Sequence, residues 1–308
     1  MADKGIHHIT AVAGDPKQNY RFYTQVMGLR LVKKTVNFDD PSVYHLYYGN
    51  ESGEPGTILT FFPWSHLQNG KPDAGQVVAV AFSAPTYSVE FWEGHLKNKG
   101  IDIEEPFERF GKKVLGLQDP DGLHLEIVFD PKADEVSGWS GGAIPAEHAL
   151  RGIHGATLAE EQYAGVGRLL EEDLGFELTD QLDNRYLYET NALFGGVVEV
   201  IDQFELKGRP GKGTVHHIAF RCKDEEEQQT LQDKLRGKGY HVTEVKDRDY
   251  FKSVYFHEPG GILCEIATDS PGFAIDESLE ELGSALQLPE WLEKYRHNIE
   301  RELPKLND

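Results

Sequence analysis

Short apolar runs recur along the chain at Ile6–Val12, Val77–Phe82, Ile153–Leu158 and Val215–Arg221. A polar start follows each run: Asp15-Pro16, Thr86 or Ser88, Glu160-Glu161, and Asp224. Side-chain oxygens and negative charge suit the N-terminus of a helix, where N–H groups lack partners. The next segment then stops at Gly28, Gly100, Gly175 or Gly239, and glycine accepts the left-handed backbone that ends helices. Turn signals precede a last apolar run at Glu54-Pro-Gly56, Asp119-Pro-Asp-Gly122, Phe194-Gly-Gly196 and Glu258-Pro-Gly-Gly261. The pattern predicts one βαβββ module used four times, over 5–66, 75–130, 151–206 and 213–269. This is an α+β class, with an N-terminal half at 5–135 and a C-terminal half at 151–270. A helix on one face of each small sheet leaves the other face free, so two modules can close a cleft or half-barrel between them. The tail, 271–308, predicts a single amphipathic helix over Leu288–Pro304, with Trp291, Leu292, Tyr295 and Ile299 on one stripe.

Two of the first strands carry adjacent histidines, His7-His8 and His216-His217. Side chains alternate along a strand, so one of each pair should face the cleft. Aligning the four strands puts Ile9, Val80, Ala156 and Ile218 on one face, suited to packing under a helix. His8, Ala79, Gly155 and His217 fall on the other, which places His8 and His217 in the cleft and starts His7 and His216 on the opposite side. Through their turns, the last strands align Glu265 with Phe61, Glu126 and Val200. Modules two and three then offer at most one carboxylate. If module one pairs with module four, one cleft gathers His8, His217 and Glu265. Two histidines and one carboxylate with open positions form the facial triad of non-haem Fe(II) oxygenases. A lone histidine would more simply be a satisfied core residue; two at equivalent points of a repeat, with a glutamate at the matching end, favour a metal.

Composition narrows the chemistry only slightly. The 308 residues carry 31 basic and 52 acidic side chains, a net charge of −21, which argues against nucleic acid and anionic membranes as partners. The two cysteines, Cys222 and Cys264, make no disulfide framework, and no apolar run reaches membrane-span length. A cytoplasmic location is the expectation, with no export signal.

The opening His7-His-Ile-Thr10, the strings Tyr44-His-Leu-Tyr-Tyr48, Thr60-Phe-Phe-Pro63 and Glu147-His-Ala-Leu-Arg-Gly152, and the second histidine pair form a recognisable set. It continues through Asp247-Arg-Asp-Tyr-Phe251, Pro259-Gly-Gly261 and the Leu-Pro-Glu-Trp-Leu-Glu tail. The chain resembles the vicinal oxygen chelate superfamily of glyoxalase, bleomycin-resistance and extradiol dioxygenase proteins. The likeness is strongest to ring-cleaving dioxygenases of the hydroquinone type. The resemblance implies Fe(II) held by His8, His217 and Glu265, with Tyr255 near the substrate oxygen and Arg248, His7, Thr10 and His216 around the site. A three-residue loop at Pro259–Gly261 would set Tyr255 across the hairpin from Glu265. The implied reaction opens a hydroquinone- or catechol-like ring with O2, in aromatic catabolism or detoxification. His154 repeats the His7 position in a module without the ligand, which weakens a catalytic reading of His7. His45, His66, His124 and His257 are read as structural or solvent-facing. Two other readings stay open: a metalloenzyme such as an isomerase, lyase or thiol transferase, or an aromatic-binding module. The first would want a second carboxylate where the alignment has Phe61. Assembly into a homo-oligomer is undetermined by the sequence.

Overall fold

The computed structural model describes residues 4–202 and 208–306. The first module runs β1 (Ile6–Ala13), α1 (Pro16–Arg21), β2 (Arg30–Asn37), β3 (Asp40–Gly49) and β4 (Ile58–Pro63). The second runs β5 (Gln76–Ala84), α2 (Val89–Asn98), β6 (Phe107–Arg109), β7 (Lys112–Gln118) and β8 (His124–Phe129), with a short α3 (Pro131–Asp134) after it. The third holds β9 (Gly152–Glu160), α4 (Tyr163–Glu172), β10 (Glu177–Leu182), β11 (Arg185–Glu189) and β12 (Val197–Asp202). The fourth holds β13 (Thr214–Cys222), α5 (Glu225–Gly237), β14 (Lys246–Asp247), β15 (Phe251–His257) and β16 (Leu263–Pro271). The expected end of the third module at 206 and the last two residues of the tail lie outside the described residues.

Local chemistry accounts for the helix ends. Asp15 accepts from the Gln18 N–H at 2.9 Å with Pro16 in the first turn, and Asp224 accepts from the Glu227 N–H at 3.0 Å. Helix α5 carries Glu225, Glu226 and Glu227 in its first turn and Lys234 and Arg236 in its last, as the helix dipole favours. The third helix departs from expectation. It starts at Tyr163, and Glu160 is instead the buried last residue of β9. The parallel ladder with β12 runs on to pair Asp202 with Glu160, so the sheet takes the residue before the helix can.

The strands form two eight-stranded sheets, ordered β14-β15-β16-β13-β1-β4-β3-β2 and β10-β11-β12-β9-β5-β8-β7-β6. Modules four and one thus share the first sheet through the antiparallel β1–β13 pair, and modules three and two share the second through β5–β9. The seam between the sheets is held by backbone: Ile6 N–H donates to Gly195 O at 2.8 Å, and Ile153 N–H to Gly56 O at 3.0 Å. Gly195, at φ +65°, could not carry a side chain, because its Cβ would sit 2.6 Å from Ile6 O.

The tail is not one helix. It breaks into α6 (Glu290–Glu293) and α7 (Arg296–Glu302). The break lets Leu292, Ile299 and Leu303 reach the core, whereas Trp291 and Tyr295 are 55% and 48% exposed, so the four expected residues do not share a face. Upstream, buried Lys33 of β2 bonds to Glu277 at 2.6 Å and to Asp276 at 2.5 Å, tying the tail to the first sheet. Among the described residues no helix is long and apolar enough to cross a membrane.

Candidate metal centre

The site grows from two bulges. Along β1–β13, Ile6 pairs with Phe220 and His8 with Ala219, so His7 is an extra residue. Two steps on, Thr10 pairs with His217 and Ala11 with Val215, so His216 is the extra residue on the facing strand. A bulge re-aims the side chain it inserts. His7 and His216 therefore do not lie simply opposite their neighbours, as strict alternation predicts. Each is turned against its partner instead: Nδ1 of His7 lies 2.9 Å from Nδ1 of His8, and Nδ1 of His216 lies 2.8 Å from Nδ1 of His217. The inner nitrogens being engaged, the Nε2 atoms of His8 and His217 face the cleft.

Glu265 meets them there. Its Oε2 lies 3.0 Å from His217 Nε2 and 3.4 Å from His8 Nε2. All three side chains are buried, and their candidate ligand atoms lie within 4.8 Å of one another. The other oxygen, Oε1, accepts a hydrogen bond from the buried Ser253 hydroxyl, which fixes the carboxylate plane. Oε2 makes no hydrogen bond among the described residues despite its two close nitrogens. Burial raises the Glu265 pKa, but His8 and His217 outweigh it and hold the group well below the carboxylate range. Burial lowers the pKa of His217, leaving a neutral ring with a lone pair to give. An ionised carboxylate oxygen without a partner, facing two imidazole nitrogens, is a donor set that fits a divalent cation.

Tyr255 is the ladder partner of Glu265 across β15–β16. Arg248 Nε donates to the Tyr255 hydroxyl at 3.2 Å, and its guanidinium lies 3.6 Å from Asp39 of the first module. Burial pushes the Tyr255 pKa up, so its hydroxyl keeps its proton. Thr10 is buried two residues beyond His8. His154, by contrast, lies in the other sheet, 3.4 Å from Asp130, with burial lowering its pKa to about 4. His66 and His257 are exposed, and His124 lies 3.7 Å from Glu126.

The parallel ladders revise the alignment of the last strands. Glu265 pairs with Ala219, Glu126 with Ala81, Glu199 with Thr157 and Thr60 with Thr10. The fourth position of this cleft is therefore Thr60, not Phe61, and the third module contributes Glu199, not Val200. Phe61 and Val200 are one residue off, with their side chains in the core. Modules two and three thus offer two carboxylates, not one.

A cavity of about 430 Å³ opens on the triad. His8 and His217 lie at its floor, Phe62, Trp64 and Phe251 supply aromatic wall, and Arg248 and Tyr255 line one side. His45 also lines it, contrary to a purely structural reading, with Nε2 2.7 Å from Thr60 Oγ1 and Nδ1 2.8 Å from the Tyr47 hydroxyl. The signal was present: in Tyr44–Tyr48, His45 and Tyr47 take the strand face opposite to Tyr44, Leu46 and Tyr48.

Fold and site together define a cleft protein of paired βαβββ modules with a candidate metal site, and the chain belongs to the Glyoxalase/Bleomycin resistance protein/Dioxygenase superfamily, whose model matches residues 5–127 and 168–266. Among its relatives is “Putative ring-cleaving dioxygenase MhqE” of Bacillus subtilis (strain 168), 45% identical over 99% of this chain and 100% of the relative. Another is the chlorohydroquinone/hydroquinone 1,2-dioxygenase of Sphingobium indicum, 35% identical over 97% of this chain and 96% of that protein. The crystal structure of a “putative dioxygenase” from Bacillus subtilis superposes with a TM-score of 0.95 at 43% identity, covering 99% of this chain and 98% of the other.

Proposed function

We propose that this protein is an Fe(II)-dependent ring-cleaving dioxygenase that opens hydroquinone- or catechol-like diols with O2. The observation that carries the reading is the unpartnered Oε2 of Glu265 facing His8 and His217 beneath an aromatic-walled cavity. The full-length likeness to named ring-cleaving dioxygenases supports it. His8, His217 and Glu265 would hold the metal. Bound Fe(II) would lower the pKa of a phenolic hydroxyl and provide the electron-transfer chemistry that O2 requires. Thr60 at the fourth position lacks a carboxylate, which disfavours the four-ligand isomerase alternative.

The chain's own residues do the rest. His7 and His216 hold the Nδ1 side of each ligand ring and so fix its tautomer. Ser253 orients Glu265. Phe62, Trp64 and Phe251 bind the flat ring and exclude water. Tyr255, protonated and oriented by Arg248, offers a hydrogen bond or a proton to a substrate oxygen. Thr10 is the ladder partner of the ligand His217. Neither half alone, 5–135 or 151–270, would retain the ligands, because His8 lies in one and His217 and Glu265 in the other. A cytoplasmic location, and small aromatic substrates rather than nucleic acid as partners, accord with the acidic balance.

Anaerobic reconstitution with Fe(II), followed by hydroquinones or catechols and air, tests the reading. Stoichiometric O2 uptake with a new product absorbance is expected. Iron-replete protein that consumes no O2 with any diol overturns it.

A further inference from the structure

His45 opens onto a row of polar side chains that the triad does not use. Across the first sheet, Tyr47 of β3 pairs with Thr60 of β4, Thr60 with Thr10 of β1, and Thr10 with His217 of β13. His45, two residues before Tyr47 on the same strand face, bridges the wider gap. The contacts are continuous: Tyr47 hydroxyl to His45 Nδ1 at 2.8 Å, His45 Nε2 to Thr60 Oγ1 at 2.7 Å, and Thr60 Oγ1 to Thr10 Oγ1 at 3.1 Å. One end, at Tyr47 and His45, lines the aromatic cavity, and the other stops beside His217.

The proton arithmetic of this row is restrictive. Both threonines, the tyrosine and a neutral imidazole carry one transferable proton each, and three hydrogen bonds use three of them. Burial, above all, lowers the His45 pKa well below its ordinary value, which keeps the ring neutral. Thr60 is fully buried, so a proton cannot be spared in the middle without leaving an unpaired donor. The spare proton therefore sits at one end. Either the Thr10 hydroxyl donates on the His217 side, or the Tyr47 hydroxyl donates into the aromatic cavity. Moving between the two states reverses every bond and changes the tautomer of His45.

We propose that Tyr47, His45, Thr60 and Thr10 form a proton wire from the wall of the aromatic cavity to the His217 end of its floor, with His45 as the tautomer-switching link. The proposal rests on the dioxygenase reading for its use in turnover and deepens it toward a para-diol, whose two oxygens lie at opposite ends of the ring. A phenolic hydroxyl at the Tyr47 end gives its proton to the Tyr47 oxygen as Tyr47 passes its own to Nδ1 of His45. The Nε2 proton moves to Thr60, that of Thr60 to Thr10, and that of Thr10 to an oxyanion of the substrate. Every residue loses one proton and gains one. One O–H bond breaks on the diol and one forms at its other end, and no electrons change hands.

Two measurements decide it. In metal-free protein with ¹⁵N-labelled histidine, NMR should show His45 as a neutral ring. Thr60→Val should drive its proton to Nδ1 and Tyr47→Phe to Nε2, because an unpaired buried N–H costs more than an unpaired lone pair. Thr60→Ser, which keeps the hydroxyl, should restore the native spectrum and guards against misfolding. An imidazolium, or a tautomer indifferent to both variants, overturns the wire. In iron-loaded protein turning over a hydroquinone, each variant should lower kcat about 10-fold or more with KM within about 2-fold. The double variant should be no slower than the slower single, since both cut one path. Losses that multiply, or an unchanged kcat, overturn its role in turnover. A wild-type protein inert toward diols rejects the dioxygenase reading instead, and the tautomer measurement then still decides the wire.

Discussion

The two sheets build the same cleft twice and line it with different side chains. In the first, the ladder position after the histidines carries Glu265 and Thr60; in the second it carries Glu126 and Glu199. Both sheets share the bulges: Val78 and His154 are the extra residues of β5–β9, where His7 and His216 are those of β1–β13. Where the first cleft has His8 and His217, the second has Ala79 and Gly155. The cation that meets the glutamates there is Arg109 from β6. Its guanidinium grips Glu126 through NH1 at 2.9 Å and through NH2, and reaches Glu199 through Nε at 3.1 Å. Arg185 adds a second contact to Glu199 at 2.5 Å. A covalently tethered cation satisfies the carboxylates for good, whereas the first cleft leaves an ionised oxygen open to an exchangeable one. One scaffold thus yields a structural ion-pair cluster or a candidate metal site, according to whether arginine or histidine faces the glutamate.

The sharpest break between the clefts should appear in metal content. Glu265→Gln should lose iron by more than the about 10–100-fold typical of an outer partner, while Glu126→Gln keeps it in full; elemental analysis after anaerobic loading reads both. Next in size, Arg109→Ala should destabilise the protein by about 3–5 kcal/mol in urea unfolding, because it strands buried charge. The same cluster has a pH signature. Burial raises the Glu126 pKa, but bonds from His124 and Arg109 outweigh it and hold the group at about 2, below its ordinary 4.5. A lowered carboxyl pKa stabilises the fold above about pH 4.5, and that contribution, about 3 kcal/mol, is lost as pH falls toward 2. Arg109→Ala should flatten this acid limb.

The last test lies at the seam between the sheets. Burial and the facing Glu258 push the Glu160 carboxyl up to about 8. The folded state then holds a proton that the unfolded chain releases near 4.5, so stability falls as pH rises from about 4.5 through 8. Glu160→Gln, which keeps a donor for Glu258, should raise Tm at pH 8.5 and leave it nearly unchanged at pH 5. Equal shifts at both would show that the shared proton contributes nothing.

Much of the first cleft was legible from residues alone, and little of the second. His8, His217 and Glu265 stand out because adjacent histidines at equivalent points of a repeat are rare and their strand alternation is short-range. Arg109 gives no such signal, since it ends a surface-like Phe107-Glu-Arg109 string whose first two residues stay exposed, and it alone is buried once β6 pairs with β7. His45 carried a readable position, but its partner Thr60 comes from β4, and the next link, Thr10, from β1. Breaking the tail into α6 and α7 followed from where the core lay, which the helical periodicity of 288–304 does not encode.

What the sequence determined by itself is the repeat: four modules, their turns, the Asp15 and Asp224 caps, and which residues could serve as ligands, all of which depend on neighbours a few positions apart. The tertiary structure decided the register. A one-residue step moves a side chain to the other face of a strand, so the exchange of Phe61 for Thr60 and Val200 for Glu199 rests on pairing across strands. The bulges that turn His7 and His216 toward the ligands arise the same way, from two strands about 210 residues apart in sequence meeting with one residue too many on each side.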